Sequence, residues 1–213
     1  MITKVCGMRD AENIRQLNSI ADVDWMGFIF TKKSKRYALE IKGFEAVTHK
    51  KKVGVFVDAN FEEIGNVINR YDLDIIQLHG FETPEYCDRL KEEQPQIQIM
   101  KAFRVDSDFD FLITEDYQNS ADYFLFDARG AAAGGNGIQF DWEILNNYGG
   151  EIPFLLAGGI RPESVTLIQN FKHPKWIGID INSGFETSPA LKNIQSIEKF
   201  LNQINKTIQN YIR

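Results

Sequence analysis

Read for its order of hydrophobic and polar positions, the chain repeats one unit. Short runs of β-branched and aromatic residues alternate with longer stretches in which apolar residues recur every three to four positions. The runs predict strands over residues 2–6, 25–30, 53–57, 75–78, 97–103, 123–126, 154–157 and 176–179. Helical patterns lie between them. Asp10 is placed to cap the first, with Ile14, Leu17 and Ile20 at helical spacing, and Asn60 to cap the third, with Ile64, Val67 and Ile68 apolar. Thr83 before Pro84 is a helix-opening pair, and a last helix from about residue 190 to the end carries Ile194, Ile197, Leu201, Ile204 and Ile208.

Alternation of strand and helix implies parallel strands joined by crossover helices. Eight such units in 213 residues fit a closed (β/α)8 barrel, one domain over residues 1–213. A doubly wound open sheet is the alternative, but the Gly-rich dinucleotide fingerprint expected after its first strand is not what "CGMRDAEN" spells.

A barrel of this kind places chemistry at the C-terminal ends of its strands and in the loops that follow. Side chains alternate along a strand, so Cys6 shares a face with Lys4, Gln77 with His79, Asp127 with Tyr123 and Leu125, and Asp180 with Gly178. Cys6, His79, Asp127 and Asp180 all fall at or just past strand ends. Parity puts Lys4 inside, where an ammonium needs a partner that the sequence does not name.

Composition and charge trim the possibilities. A formal charge of −6 and a pI near 5.2 argue against non-specific nucleic-acid binding, while leaving room for a local basic pocket for a small anion. Lys50, Lys51 and Lys52 read as a solvated helix end leading into a strand. Two cysteines, Cys6 and Cys87, make no secreted disulfide framework, and Cys87 reads as helical core. No apolar run approaches the ~20 residues of a membrane span, and "MITKVCG" does not read as a signal peptide, so a reduced cytoplasmic setting is expected. The histidines at 49, 79 and 173 sit in unrelated contexts, and no cluster has metal-ligand spacing.

Glycines mark the anion site. "LLAGGIRPESV", residues 155–165, and "GIDINSGFE", residues 178–186, each run from strand into glycine turn and then a helix start, a short one in the second case. Such turns let backbone amides approach phosphate, and the loops after strands seven and eight are where these barrels bind it. "FDARGAAAGGNGIQFDW", residues 126–142, is a long loop beginning at Asp127, and Gly130, Gly134, Gly135 and Gly137 suit it to folding over a ligand. In "FIFTKKSKRY", residues 28–37, Lys32, Lys33 and Lys35 read as solvated cations, whereas Arg36 can fork onto a carboxylate.

Taken together and in order, "KVCGMRD", "GFIF" with "SKRY", "VGVFVD", "IIQLHG", "KAFRV", "FLFDARG…GGNGIQFDW", "LLAGGIRPESV" and "IDINSGFE" resemble the phosphoribosylanthranilate isomerase family over almost the whole chain. The resemblance implies a TIM barrel acting without metal or organic cofactor on a small phosphosugar substrate of tryptophan biosynthesis, with no nucleic-acid or membrane partner. It leaves a monomer or a homodimer open. It assigns Cys6 as general base, Asp127 as general acid and Arg36 as the contact to the anthranilate carboxylate. It gives the phosphate to backbone amides around Gly158, Gly159, Ser183 and Gly184, and places Asp180 near the ribose. The implied reaction is an Amadori rearrangement of N-(5'-phosphoribosyl)anthranilate to 1-(2-carboxyphenylamino)-1-deoxyribulose 5-phosphate. A nearby cation such as Lys4, or the flanking helix start, is expected to lower the thiol's pKa. Phe28, Phe30 or Phe140 is expected to bed the aromatic ring. Two departures from the family pattern stand out: Ser34-Lys35-Arg36 replaces Ser-Pro-Arg, and Ile138 stands where a lysine is usual.

Overall fold

The eight apolar runs become eight parallel strands, and each pairs with the next in chain order. In this computed structural model, which describes residues 1–38, 40–128 and 142–211, they are β1 (Ile2–Val5), β2 (Trp25–Ile29), β3 (Lys51–Phe56), β4 (Ile75–Leu78), β5 (Gln98–Val105), β6 (Tyr123–Ala128), β7 (Phe154–Ala157) and β8 (Trp176–Ile181). β8 pairs back onto β1, with Ile2 opposite Gly178 and Lys4 opposite Asp180, which closes the barrel. Trp25, Val53, Ile75, Met100, Leu125 and Leu155 form one apolar cluster, with Ile2, Tyr123 and Ile177 packed against it. A second, larger cluster joins the other strand face to the surrounding helices.

The helices start where the caps predict. Asp10 accepts from Asn13 N at 2.9 Å to open α1 (Ala11–Asn18), and Asn60 accepts from Glu63 N at 2.8 Å to open α2 (Phe61–Tyr71). Thr83 caps α3 (Pro84–Glu93), and α4 (Val165–Asn170) and α5 (Ile194–Tyr211) complete the α-helices among the described residues. Among the described residues strict alternation does not hold. The crossovers after β2, β5 and β6 carry short 3-10 turns, Phe44–Ala46, Phe111–Tyr117 and Trp142–Asn147. Their sequences lack a sustained apolar stripe, and single aromatics take its place. Phe44 packs on Phe28 at 4.8 Å between ring centroids, and Phe111 on Phe126 at 5.7 Å.

Several expectations are corrected. Lys50 is not solvated: its Nζ donates to the carbonyls of Ile20 at 2.7 Å and Val23 at 2.6 Å, while Lys51 and Lys52 open β3. β6 and β8 run two residues further than their apolar runs, so Asp127 and Asp180 lie within strands. The last helix starts at Ile194, because β9 (Glu186–Ser188) and β10 (Leu191–Lys192) form an antiparallel hairpin first. Phe28 and Phe30 are core residues stacked among Phe44, Phe56 and Tyr71, so neither lies free to bed a ligand ring.

Candidate active site

Barrel closure supplies the partner that the sequence withheld from Lys4. Its fully buried Nζ donates to Asp180 Oδ2 at 2.7 Å across the β1–β8 seam. Cys6 follows directly after β1, and its N–H donates to Ile181 O at 2.9 Å. Burial disfavours the Lys4 ammonium, yet the neighbouring Asp180 and Cys6 outweigh it and its pKa rises. The Cys6 thiol is also pushed up, first by burial, with Asp180 reinforcing and Lys4 and Lys192 opposing. Lys4 does lower the thiol as expected, but desolvation outweighs it and the net shift is upward. Burial raises Asp180 too, against the pull of Lys4; the charge of Asp127 adds to the rise and that of His79 reduces it. Among the described residues Asp180 Oδ1 is buried without a hydrogen-bond partner.

Asp127 stands near the end of β6, with Oδ2 3.4 Å from His79 Nε2. His79 follows β4, anchored by its N–H to Phe56 O at 2.9 Å. Its Nδ1 lies 3.1 Å from Gln77 Nε2, so a buried amide orients the imidazole that faces Asp127. Gln77 Oε1 is a second buried acceptor without a partner among the described residues.

Arg36 sits beyond β2, where its N–H donates to Ser34 Oγ at 3.0 Å, a local tie in a loop without the family's proline. Its guanidinium forks onto Glu186, Nε to Oε1 at 2.8 Å and Nη2 to Oε2 at 2.6 Å. Lys32, Lys33 and Lys35 are exposed, as expected.

The two glycine loops meet. Gly158 and Gly159 have φ of +88° and +65°, backbone that side-chain-bearing residues rarely adopt. Gly184 lies in the 3-10 turn Ser183–Phe185, and a Cβ there would stand 2.2 Å from Ile160 O, so the loop after β8 rests directly on the loop after β7. The glycines of the long loop after β6, with Phe140 and Ile138, lie outside the described residues.

The structure thus sets Cys6, Asp127 and Asp180 at the C-terminal ends of β1, β6 and β8, one rim of the barrel, with Arg36 and the glycine loops following strands at the same rim. Three residues escaped the sequence reading. Glu186 ends the glycine-turn stretch read as anion-binding, Lys192 falls in the stretch read as the last helix, and Gln77 has only its shared face with His79 as a signal. Cys87 is buried in α3, where desolvation pushes its thiol up to about 12. Among the described residues no group of three or more His, Cys, Asp or Glu could hold a metal ion, and no helix is long and apolar enough to cross a membrane.

Comparison with known proteins gives one answer. Residues 3–203 match the N-(5'-phosphoribosyl)anthranilate (PRA) isomerase family. The chain is 46% identical to the N-(5'-phosphoribosyl)anthranilate isomerase of Parabacteroides distasonis, over 96% of this chain and 93% of that one. It is 45% identical to that of Phocaeicola vulgatus, over 98% and 100%. A solved phosphoribosyl anthranilate isomerase, in complex with reduced 1-(o-carboxyphenylamino)-1-deoxyribulose 5-phosphate, is similar with a TM-score of 0.76 at 28% identity, covering 97% of this chain and 100% of that chain.

Proposed function

The chain belongs to the N-(5'-phosphoribosyl)anthranilate isomerase family of tryptophan biosynthesis, and from that premise we propose how its own residues carry the rearrangement. Asp127 protonates the furanose ring oxygen, which opens the sugar to a Schiff base. Cys6 then takes the proton from C2, and the enolamine tautomerises to the ketone. Each proton transfer contributes ~10²–10⁴-fold. The observation that supports this reading is geometric: Cys6, Asp127 and Asp180 stand at the C-terminal ends of β1, β6 and β8, with Asp180 paired to Lys4 two residues before Cys6 and Asp127 3.4 Å from His79.

The raised thiol fits this sequence of events. In the resting protein Cys6 holds its proton. Once the ring opens, the protonated Schiff base places a cation beside the thiol, which favours release of the thiol's proton to solvent and acidifies C2–H, so that the thiolate then takes the C2 proton. Asp180 Oδ1, buried and without a partner among the described residues, is placed to accept from a ribose hydroxyl. The amides around Gly158, Gly159, Ser183 and Gly184 hold the phosphate, and Arg36 holds the anthranilate carboxylate. Two buried free cysteines fit a reducing cytoplasm.

The decisive assay follows the fluorescence of phosphoribosylanthranilate as the purified protein consumes it, with chelator present. Undiminished turnover in chelator, lost in Cys6→Ala, supports the reading. Binding without turnover would make the chain a phosphosugar-binding barrel instead.

A further inference from the structure

Arg36 has one fork filled and one open. Glu186 takes the Nε–Nη2 edge, while among the described residues the Nη1 end makes no hydrogen bond. The Arg36 side chain is 23% exposed and the Glu186 side chain 6% exposed, so the filled fork is made to a buried carboxylate. Glu186 is held from three sides, since its Oε1 also accepts from Lys192 Nζ at 2.6 Å and Ala190 N at 3.1 Å.

Lys192 is itself built in. Its Nζ also donates to Asn182 Oδ1 at 2.7 Å, and its backbone is held to α1 through both amide atoms of the buried Asn13, at 2.8 and 2.9 Å. Gly7 makes room beneath the arginine, for a Cβ there would come within 2.7 Å of Arg36 Cδ. The β9–β10 hairpin therefore presents a fixed carboxylate to a fixed arginine, and a buried lysine balances that carboxylate. Arg36 with Glu186 alone would be neutral; with Lys192 the cluster keeps one positive charge.

We propose that Glu186 is the positioning residue that aims Arg36 at the substrate's aromatic carboxylate, and that Lys192 preserves the net charge which draws that carboxylate in. This rests on the reading of Arg36 as the carboxylate contact. Burial opposes ionisation of Glu186, but hydrogen bonds from Arg36 and Lys192 prevail and bring its pKa down to about 2, so it stays ionised wherever the enzyme works. The anthranilate carboxylate then meets a planar fork already oriented, and the ordering cost of a long side chain is not incurred on binding.

The test uses two ligands, reduced 1-(o-carboxyphenylamino)-1-deoxyribulose 5-phosphate and the same molecule lacking the carboxyl group. Calorimetric titration gives the ratio of their Kd values, which reports the carboxylate contact alone. Wild type is expected to favour the carboxylated ligand by about ten- to a hundredfold. In Glu186→Gln the ratio should shrink at least ~5-fold, while the Kd of the ligand without the carboxyl changes little. Lys192→Met, which leaves Glu186 to neutralise Arg36, should shrink it likewise and decides the matter if the first variant does not fold. Equal weakening of both ligands, or an unchanged ratio, overturns the proposal and makes the cluster merely structural. A wild-type ratio near one removes Arg36 from carboxylate recognition, and this inference falls with it.

Discussion

Two buried lysine–carboxylate pairs, nearly identical in length, differ in whether they are finished. Lys4 meets Asp180 at 2.7 Å across the β1–β8 seam, and Lys101 meets Glu82 at 2.8 Å beside the loop after β4. The second pair is complete. Glu82 also accepts from the N–H groups of Asp58 and Gly80, both at 2.9 Å, Lys101 donates in addition to Gly80 O at 2.9 Å, and Tyr117 OH donates to Glu82 O at 2.9 Å. The first pair leaves Asp180 Oδ1 buried without a partner among the described residues and stands beside a thiol. A saturated pair fixes a loop. An unsaturated one holds desolvated capacity that a ligand can satisfy, and such capacity is costly enough to mark a site.

The widest separation should come from removing one carboxylate of each pair. Glu82→Ala leaves Lys101 buried and unpaired, and urea unfolding should show a loss of ~3–5 kcal/mol, with kcat of the folded protein within a few-fold of wild type. Asp180→Asn should instead lower kcat at least ~10-fold at saturating substrate under conditions where the variant is fully folded. If Glu82→Ala lowers kcat as much as Asp180→Asn does, the contrast between the pairs fails.

Next in size are the two proposed proton carriers. Cys6→Ala and Asp127→Asn should each lower kcat by at least ~10²-fold with substrate binding largely kept, and the double variant should be little worse than the poorer single. Cys87→Ala, on a thiol buried in α3, is the control: it should cost stability and leave kcat alone. A kcat within a few-fold of wild type in either proton-carrier variant removes that residue from its role.

Arg36→Ala is expected to cost less, roughly ten- to a hundredfold in kcat/KM and mostly through KM, because a charge-assisted contact is worth ~1.5–3 kcal/mol. Steady-state kinetics showing an unchanged KM would place the carboxylate elsewhere.

Much of the architecture was legible in the chain. The runs at 75–78 and 154–157 coincide with β4 and β7, and the caps at Asp10, Asn60 and Thr83 all open helices, because cap chemistry and strand periodicity are local. The crossovers after β2 and β5 depart from the expected helices, since an aromatic covering a barrel face does the work of a helix without leaving helical periodicity. Cys6, His79, Asp127 and Asp180 stand out by position, but which groups they pair with, and that Glu186 takes Arg36, is not legible there. The Lys4–Asp180 pair spans the whole chain and exists only through barrel closure, and the Arg36–Glu186 pair crosses from the first barrel unit beyond β2 to a hairpin behind β8. Strand ends announce a site, whereas the partners that tune it come from contacts no local pattern encodes.

The smallest effect is a slope, and it separates base from acid. Burial holds the Cys6 thiol above its ordinary value, so below that pKa each unit of pH raises the thiolate fraction about tenfold. Thiols ordinarily titrate near ~8.5 and carboxyls near ~3.9, so the working state, thiolate with carboxylic acid, is a minority form. Between the two pKa values the rising thiolate and the falling acid cancel, and wild-type kcat/KM should be flat from pH 7 to 9. Asp127→Asn removes the acid's share of that cancellation. Its residual kcat/KM should then climb about tenfold per pH unit over the same range, since only the thiolate population still varies. A flat residual profile in Asp127→Asn would show that no group with a raised pKa acts as base, and Cys6 would return to being a small buried side chain like Cys87.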